Sequence, residues 1–376
     1  MKKKSINLEP KKVKILTLFN VVNATITGLE NFVSLSPIFK KYILVTNQSK
    51  EEAQNIINSL YPKNNIKVFS LKVNSYKATL ELFKNIKDLK IDIIHSHHAK
   101  SSLFSVIFKF IFNSKLVITV HSNFNAYNFL QKLFFTISYL SSDLIICNSK
   151  NTKNSIPIFI DKSKLSVIYN GINLNKIKFG NLEKINNLKK SYIFGTACRF
   201  VWQKDLTTLI KAFHFLKSNT NVSVKLILIG GGPQYKQIIK LVNRLKLSKY
   251  VQFKGIIDRN SVYEEISNFD LFIVTSVYEG FCNALIEAAA SNIPLISTSI
   301  KPLPEVIGGL NNAMFFEKRN YKELANIMIK YIQGHERFKF YEKALRAKKY
   351  VSEYYSINLI CEKYSHEYLK LMSKNL

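Results

Sequence analysis

At 376 residues the chain exceeds the size at which a single hydrophobic core stops growing, so two domains are the natural reading. Hydrophobic residues make up 47% and charged residues 21%, which excludes a disordered chain, and the four scattered cysteines (Cys147, Cys198, Cys282, Cys361) form no C-x-x-C pair and exclude a disulfide framework or a zinc ribbon. A net charge of +30, spread over both halves, favours anionic partners; 49 lysines against 6 arginines speak against nucleic acid, whose sites also use arginine forks, and leave plain drift toward lysine as the alternative to a membrane surface.

In chain order, lysines near Met1 lead into the apolar stretch Ile15 to Val22, which imitates a signal peptide; no small-residue cleavage site closes it, and it reads as a first strand. Short apolar runs then alternate with helical periodicity: Val13 to Phe19, Tyr42 to Val45, Lys67 to Phe69, Asp92 to His95, Lys115 to Val120, Asp143 to Cys147 and Leu165 to Tyr169. Runs of this kind are parallel strands covered on both faces. The longest apolar run elsewhere, Leu103 to Phe112, is broken by Lys109 and falls short of the roughly 20 residues that a spanning helix needs. After the turn Asn170-Gly171 a lysine- and asparagine-rich stretch to Ser191 reads as a linker.

The pattern then restarts with Tyr192 to Cys198, Val224 to Gly230, Val251 to Lys254, Leu271 to Thr275 and Leu295 to Thr298, and from Tyr321 onward the chain reads as helical. Two strand-helix series predict an α/β protein with two doubly wound sheets, ligands lying at the carboxyl ends of their strands. The expected division is 1–175, 176–355 and a last helix over 356–376 that packs back toward the first domain.

The residues with chemical potential gather in the second half. The helix entered at Cys282 reads Cys-Asn-Ala-Leu-Ile-Glu-Ala-Ala-Ala, so Glu287 is a lone carboxylate on an apolar, buried element and needs donors. Ribose hydroxyls would serve; neighbouring backbone or a core lysine would serve as well. Glu279 precedes that helix, followed by Gly280, which lets backbone approach a ligand, and Phe281; the amides of Cys282, Asn283 and Ala284 then open a helix start suited to phosphate. Glu279 either faces what that phosphate carries or is a solvated loop glutamate. Arg199, at the end of a strand, and Lys204, at the start of a helix, are a fork and a mobile ammonium able to neutralise a diphosphate without a metal, or else a surface pair of little weight.

Gly195 to Lys204, Ile229-Gly-Gly-Gly-Pro233, Phe253-Lys-Gly255 and Glu279-Gly-Phe-Cys-Asn-Ala-Leu-Ile-Glu287 resemble the motif series of family 4 retaining glycosyltransferases of the GT-B fold, over nearly the whole chain. The resemblance implies two Rossmann-like domains facing a central cleft, the first on the acceptor side and the second binding a nucleotide-sugar, with the C-terminal helices crossing back. It implies that Arg199 and Lys204 hold the donor diphosphate, that Glu279 meets the donor sugar and that Glu287 meets the ribose. In the first half, Asp92-Ile-Ile-His-Ser-His97 and Ile118-Thr-Val-His121 resemble the acceptor-side strand ends; His121 matches the position near the reacting sugar, and His97 and Lys100 fall on the acceptor side. A strand-end histidine also serves structure, and the cluster His95, His97, His98 lacks a thiolate or carboxylate that would complete a metal site.

Two positions depart from the family pattern. Thr27-Gly28 stands where a glycine pair is usual, leaving Gly28 for backbone approach to the diphosphate, and Asn292 stands where glycine is frequent, asparagine being tolerant of left-handed backbone. The turn Gly230-Gly231-Gly232 does not complete G-x-G-x-x-G, because Tyr235 takes the last position, and neither a P-loop nor D-x-D occurs. The implied enzyme is a metal-independent hexosyltransferase without a cofactor. It would move a hexose or N-acetylhexosamine from a UDP-sugar, or secondarily a GDP-sugar, to a lipid-linked or oligosaccharide acceptor in surface polysaccharide synthesis. Its implied place is cytoplasmic, at the anionic inner face of the membrane, without nucleic acid. The rivals are a GT-B epimerase or phosphorylase, and a basic non-catalytic binding protein.

Overall fold

The computed structural model describes residues 12–23, 27–180, 191–334 and 336–373. Most of the expected linker, and the residues before 12, lie outside them. Two compact units emerge: one gathers the chain up to Asn148, Thr152–Ile168 and the stretch from Ile360 onward, the other Ser149–Asn151 and Tyr169–Leu359. Among the described residues no helix is long and apolar enough to cross a membrane.

In the first unit the strands β1 (Val13–Phe19), β2 (Phe39–Val45), β3 (Lys67–Ser70), β4 (Ile93–Ser96), β5 (Lys115–Val120), β6 (Leu144–Cys147) and β7 (Leu165–Val167) form one sheet in the order β3-β2-β1-β4-β5-β6-β7, parallel throughout. Both faces are covered, so the central strands bury residue after residue, as in Leu16, Leu18, Ile94, Ile118 and Ile145. β2 begins three residues earlier than its apolar pattern suggests. Its Lys41 is half-buried and points its ammonium at the carbonyls of Val33 and Leu35, 2.6 Å from each, so a lysine that reads as a strand boundary lies inside the strand.

The second unit repeats the design with β8 (Ser191–Ala197), β9 (Ser223–Ile229), β10 (Val251–Gly255), β11 (Leu271–Val274), β12 (Leu295–Thr298) and β13 (Met314–Phe316), ordered β10-β9-β8-β11-β12-β13 and again parallel. The edge strand β13 was not legible as a separate run. In both units the strand order reverses beside the first strand, between β1 and β4 and between β8 and β11, and at such switch points the loops diverge and leave room for a ligand.

Two aspartates that read as strand residues, Asp92 and Asp143, instead sit one place before their strands, as Asp270 does before β11. Asp92, Asp143 and Asp270 each accept a backbone amide near the start of a neighbouring strand, from Lys14, Leu116 and Ile193 at 2.8 Å. Each carboxylate supplies an acceptor that the ladder lacks at its amino-terminal edge. Asn292 takes the left-handed conformation expected of it, with φ 60°. Gly28 lies in the first turn of the helix Thr27–Val33 rather than in a loop.

The last helix, Ile357–Ser373, belongs from Ile360 to the first unit. Ile360, Cys361, Tyr364, Tyr368 and Leu371 recur at helical spacing and are buried. Tyr368 meets Phe39 edge-on at 5.7 Å, and Ser166 donates to Glu367 at 2.8 Å.

Candidate functional site

In the second unit the switch point is framed by the loops that leave β8 and β11. The first contains Arg199 and the short turn Trp202–Lys204; Asp205, at φ 43°, then caps the helix Leu206–Ser218 by accepting from Thr208. The second loop runs from Thr275 to Phe281. Thr275 donates to the carbonyl of Lys204 at 2.8 Å and the amide of Val277 to the carbonyl of Gln203 at 2.8 Å, so the two loops are stitched together.

That stitching brings Lys204 to Glu279, Nζ to Oε1 at 2.5 Å, while Ser276 donates to the same oxygen at 2.7 Å. Burial disfavours the charged form of Lys204, but the Glu279 carboxylate outweighs it and holds the ammonium above its ordinary pKa. Cys198, pushed up to about 11 by burial, and Cys282, also raised by burial, stay thiols. Arg199 is exposed, and no carboxylate pairs with it among the described residues.

Gly280, Phe281 and Cys282 are buried; the Gly280 carbonyl accepts from Ser149 at 2.9 Å, and Phe281 packs between Tyr169 and Tyr355. Cys282 takes φ 86°, a costly angle for a side chain, and opens the helix Asn283–Ala290 without a side-chain cap. The Asn283 carboxamide is held by Asn170 at 2.8 Å, and Ala284 follows in the first turn.

Glu287 is buried in that helix, and its donor is an arginine that the sequence reading passed over. Arg259 reaches Oε1 through Nη2 at 2.7 Å, donates from Nε to the Tyr263 hydroxyl at 2.6 Å and lies over the Tyr263 ring. A signal was available: Asp258-Arg-Asn-Ser directly after β10 is a helix start, with Asp258 accepting the amides of Asn260 and Ser261, which places Arg259 at the carboxyl edge of the sheet.

In the first unit β4 and β5 end in histidines. His95 and His97 are buried, and His121 follows Val120. Nδ1 of His97 meets Nε2 of His121 at 3.1 Å, so one of these imidazoles must donate to the other. His97 stacks on Phe19 at 4.8 Å, and its ring faces Gly28, where an added Cβ would lie 3.4 Å away. Both nitrogens of His95 are used, by Thr119 and by Tyr368 at 2.7 Å each. Burial lowers all four histidines: His95 and His121 to about 3, His97 well below its ordinary value with the neighbouring imidazoles adding to the effect, and His98 in the same direction. The cluster is therefore neutral near pH 7 and works through directed hydrogen bonds rather than charge. Lys100 lies in the helix Ala99–Phe112; its side chain is outside the described residues.

Residues 179–351 match the model of glycosyl transferases group 1, and residues 41–176 that of Glycosyltransferase Family 4. An uncharacterized glycosyltransferase of Methanocaldococcus jannaschii is 26% identical over 61% of this chain and 61% of its own length. The N-acetylgalactosamine-N,N'-diacetylbacillosaminyl-diphospho-undecaprenol 4-alpha-N-acetylgalactosaminyltransferase of Campylobacter jejuni is 31% identical over 49% of this chain and 48% of its own. The alignments thus span about three-fifths and about half of those relatives. HepE of Anabaena, solved in complex with UDP and glucose, superposes with a TM-score of 0.79 at 20% identity, covering 95% of this chain and 100% of HepE.

Proposed function

We infer the reaction from a premise that the family models and the fold supply: this chain belongs to the family 4 glycosyltransferases of the GT-B fold. We propose that it transfers a hexose or N-acetylhexosamine, with retention at the anomeric carbon and without a metal, from a UDP-sugar to a lipid-linked glycan of surface polysaccharide. UDP is favoured over GDP by the ligand of HepE, and the lipid by the diphospho-undecaprenol in the name of the Campylobacter relative. The positive charge favours a site of action at the anionic inner face of the cytoplasmic membrane.

The observation that carries the proposal is the contact between Lys204 and Glu279 at the β8/β11 switch point, beside an uncapped helix start. Glu279 keeps Lys204 cationic, and with the exposed guanidinium of Arg199 it offers two positive charges to a diphosphate; the amides of Cys282, Asn283 and Ala284 add oriented dipoles. As the bond from the sugar to the diphosphate breaks, negative charge grows on the departing oxygen, where these groups stabilise it. The acceptor hydroxyl bonds the anomeric carbon from the face that the diphosphate leaves, and its proton passes to the departing phosphate oxygen. No enzyme carboxylate forms a covalent bond to the sugar.

Around this step Glu279, beside Gly280 and Phe281, faces the sugar, and Glu287 receives the ribose hydroxyls on a carboxylate that Arg259 orients. In the first unit Gly28 offers its backbone to the diphosphate and His121 a neutral imidazole to the reacting sugar, with His97 and Lys100 on the acceptor side and His97 acting through its bond to His121. A thermal-shift panel of UDP-, GDP- and dTDP-sugars tests the donor half. Stabilisation by UDP-sugars ahead of the others is expected, and a flat panel would overturn the proposal.

A further inference from the structure

The first unit carries a helix with a large apolar outward face. Ala99–Phe112 buries Ser101, Ser102 and Ser105 completely, yet leaves Ile107 50% and Phe110 73% exposed, with Phe104 and Ile111 on the same outward face. The serines are satisfied within the fold: Ser101 and Ser102 meet Ser96 at 3.1 Å, and Ser105 donates to the Ser102 carbonyl at 2.6 Å. The inward face therefore joins these serines to the buried Phe108, while Phe104, Ile107, Phe110 and Ile111 point away from the core.

The helix packed beside it, Phe129–Ser141, buries Phe135 and Tyr139 in the core and is likewise apolar on its outward side. Ser138 is buried and donates to the Phe134 carbonyl at 2.7 Å, while Phe129 at 80%, Leu130 at 60%, Leu133, Ile137 and Leu140 line its outward side at helical spacing. Both helices follow neighbouring strands, β4 and β5, through crossovers of one hand, so they lie on the same face of the sheet. Nine large exposed apolar side chains on two adjacent helices exceed what a water-facing surface carries without a purpose.

We propose that this helix pair is the face that rests on an anionic lipid bilayer, its phenylalanines and leucines entering the headgroup boundary. The choice of occupant rests on charge. From residue 93 to residue 142 the chain has no aspartate or glutamate, while Lys109 and Lys132 sit on the two helices and Lys164 reaches the Leu140 carbonyl. Lys109 pairs with Asp143, just beyond that stretch, at 2.7 Å, and an apolar stripe that carries lysine and no carboxylate of its own complements a layer of acyl chains beneath anionic headgroups. The proposal rests on the membrane-surface reading of the function and gives it a location.

Co-sedimentation with vesicles tests it, using phosphatidylcholine alone and phosphatidylcholine doped with phosphatidylglycerol. The wild-type protein is expected to bind the doped vesicles. The triple variant Phe110→Ser, Phe129→Ser, Leu133→Ser is expected to lose at least about tenfold in partitioning, and Phe110→Ser alone about threefold, as removal of shallowly inserted apolar groups dictates. The UDP-induced thermal shift should be the same in all three proteins, which reports their folding. Wild-type protein that stays in the supernatant with doped vesicles overturns the proposal, as does a triple variant that binds like the wild type. Light scattering that shows a wild-type dimer dissolved by the triple variant would assign the face to a second copy instead. Failure of every nucleotide-sugar to shift the wild-type melt would remove the donor reading and leave the vesicle result standing.

Discussion

Arg259→Met isolates the least expected contact at the candidate site. Methionine keeps an unbranched stem but removes both donors, leaving the Glu287 carboxylate, about 9% exposed, without the guanidinium now 2.7 Å away, and the Tyr263 hydroxyl without its partner at 2.6 Å. Stranding one member of a buried ion pair costs about 3–5 kcal/mol. Arg259 itself is 16% exposed, so water reaches part of the site, and the lower end, about 3 kcal/mol, is the appropriate figure. For a unit of this size about 1 kcal/mol moves Tm by roughly 2–4 °C, so a fall of roughly 6–12 °C is expected in the calorimetric transition of the second unit. The double variant Arg259→Met, Glu287→Leu, which removes the stranded charge, should recover more than half of that loss. A single variant melting within about 2 °C of the parent, or a double variant no more stable than the single, would refute the assignment of Glu287's charge balance to Arg259.

Lys204→Ala and Arg199→Ala should each lower kcat/KM at least tenfold, the worth of about 1.5–3 kcal/mol for a charged hydrogen bond, and Arg199→Ala should leave Tm unchanged because its side chain is exposed; turnover within twofold of wild type in either variant would sink the diphosphate role. His95 and His97 are buried and uncharged when folded but take up protons near pH 6.5 when unfolded, so their contribution to stability is complete above that pH and is lost as pH falls toward about 3 for His95. Each should cost about 1.4 kcal/mol per pH unit below about 6.5, and a melting profile of the first unit that is flat from about pH 7 to about pH 5 would contradict the neutral cluster. At Gly230, φ 121°, an added Cβ would lie 1.9 Å from the Cys198 carbonyl oxygen, whereas Gly255, φ 71°, has open space. Gly230→Ala should therefore destabilise by about 3 kcal/mol or more and Gly255→Ala by about 1 kcal/mol, and urea titrations giving the reverse order would disprove the packing described for that turn.

Strand identity was legible because parallel strands buried on both faces read as unbroken apolar runs, and their ends carried Arg199, His97 and His121 to the carboxyl edges. Boundaries were less so. Lys41 hides the start of β2 because its ammonium escapes sideways to two carbonyls, and Asp92 and Asp143 look like strand residues because their carboxylates imitate the missing ladder. The pairings at the site could not be read from spacing. Lys204 and Glu279 are 75 positions apart and meet because β8 and β11 end side by side, whereas Arg259 and Glu287, 28 apart, meet because the helices that open at Arg259 and at Asn283 pack together. Gly28 reads in the sequence as an opening for a diphosphate to approach the backbone, and in the fold the His97 ring also lies against it.

The residues from Ile360 onward complete the core of the first unit, where Tyr368 meets His95 and Cys361 meets the carbonyl of Asn31. The order of synthesis inverts the order of completion. As the chain leaves the ribosome, the strands of the first unit emerge earliest yet lack one wall until the last helix arrives, whereas Tyr169–Leu359 can close on itself beforehand. A truncation just before Ile360 would therefore damage the half of the protein made first and spare the half made second.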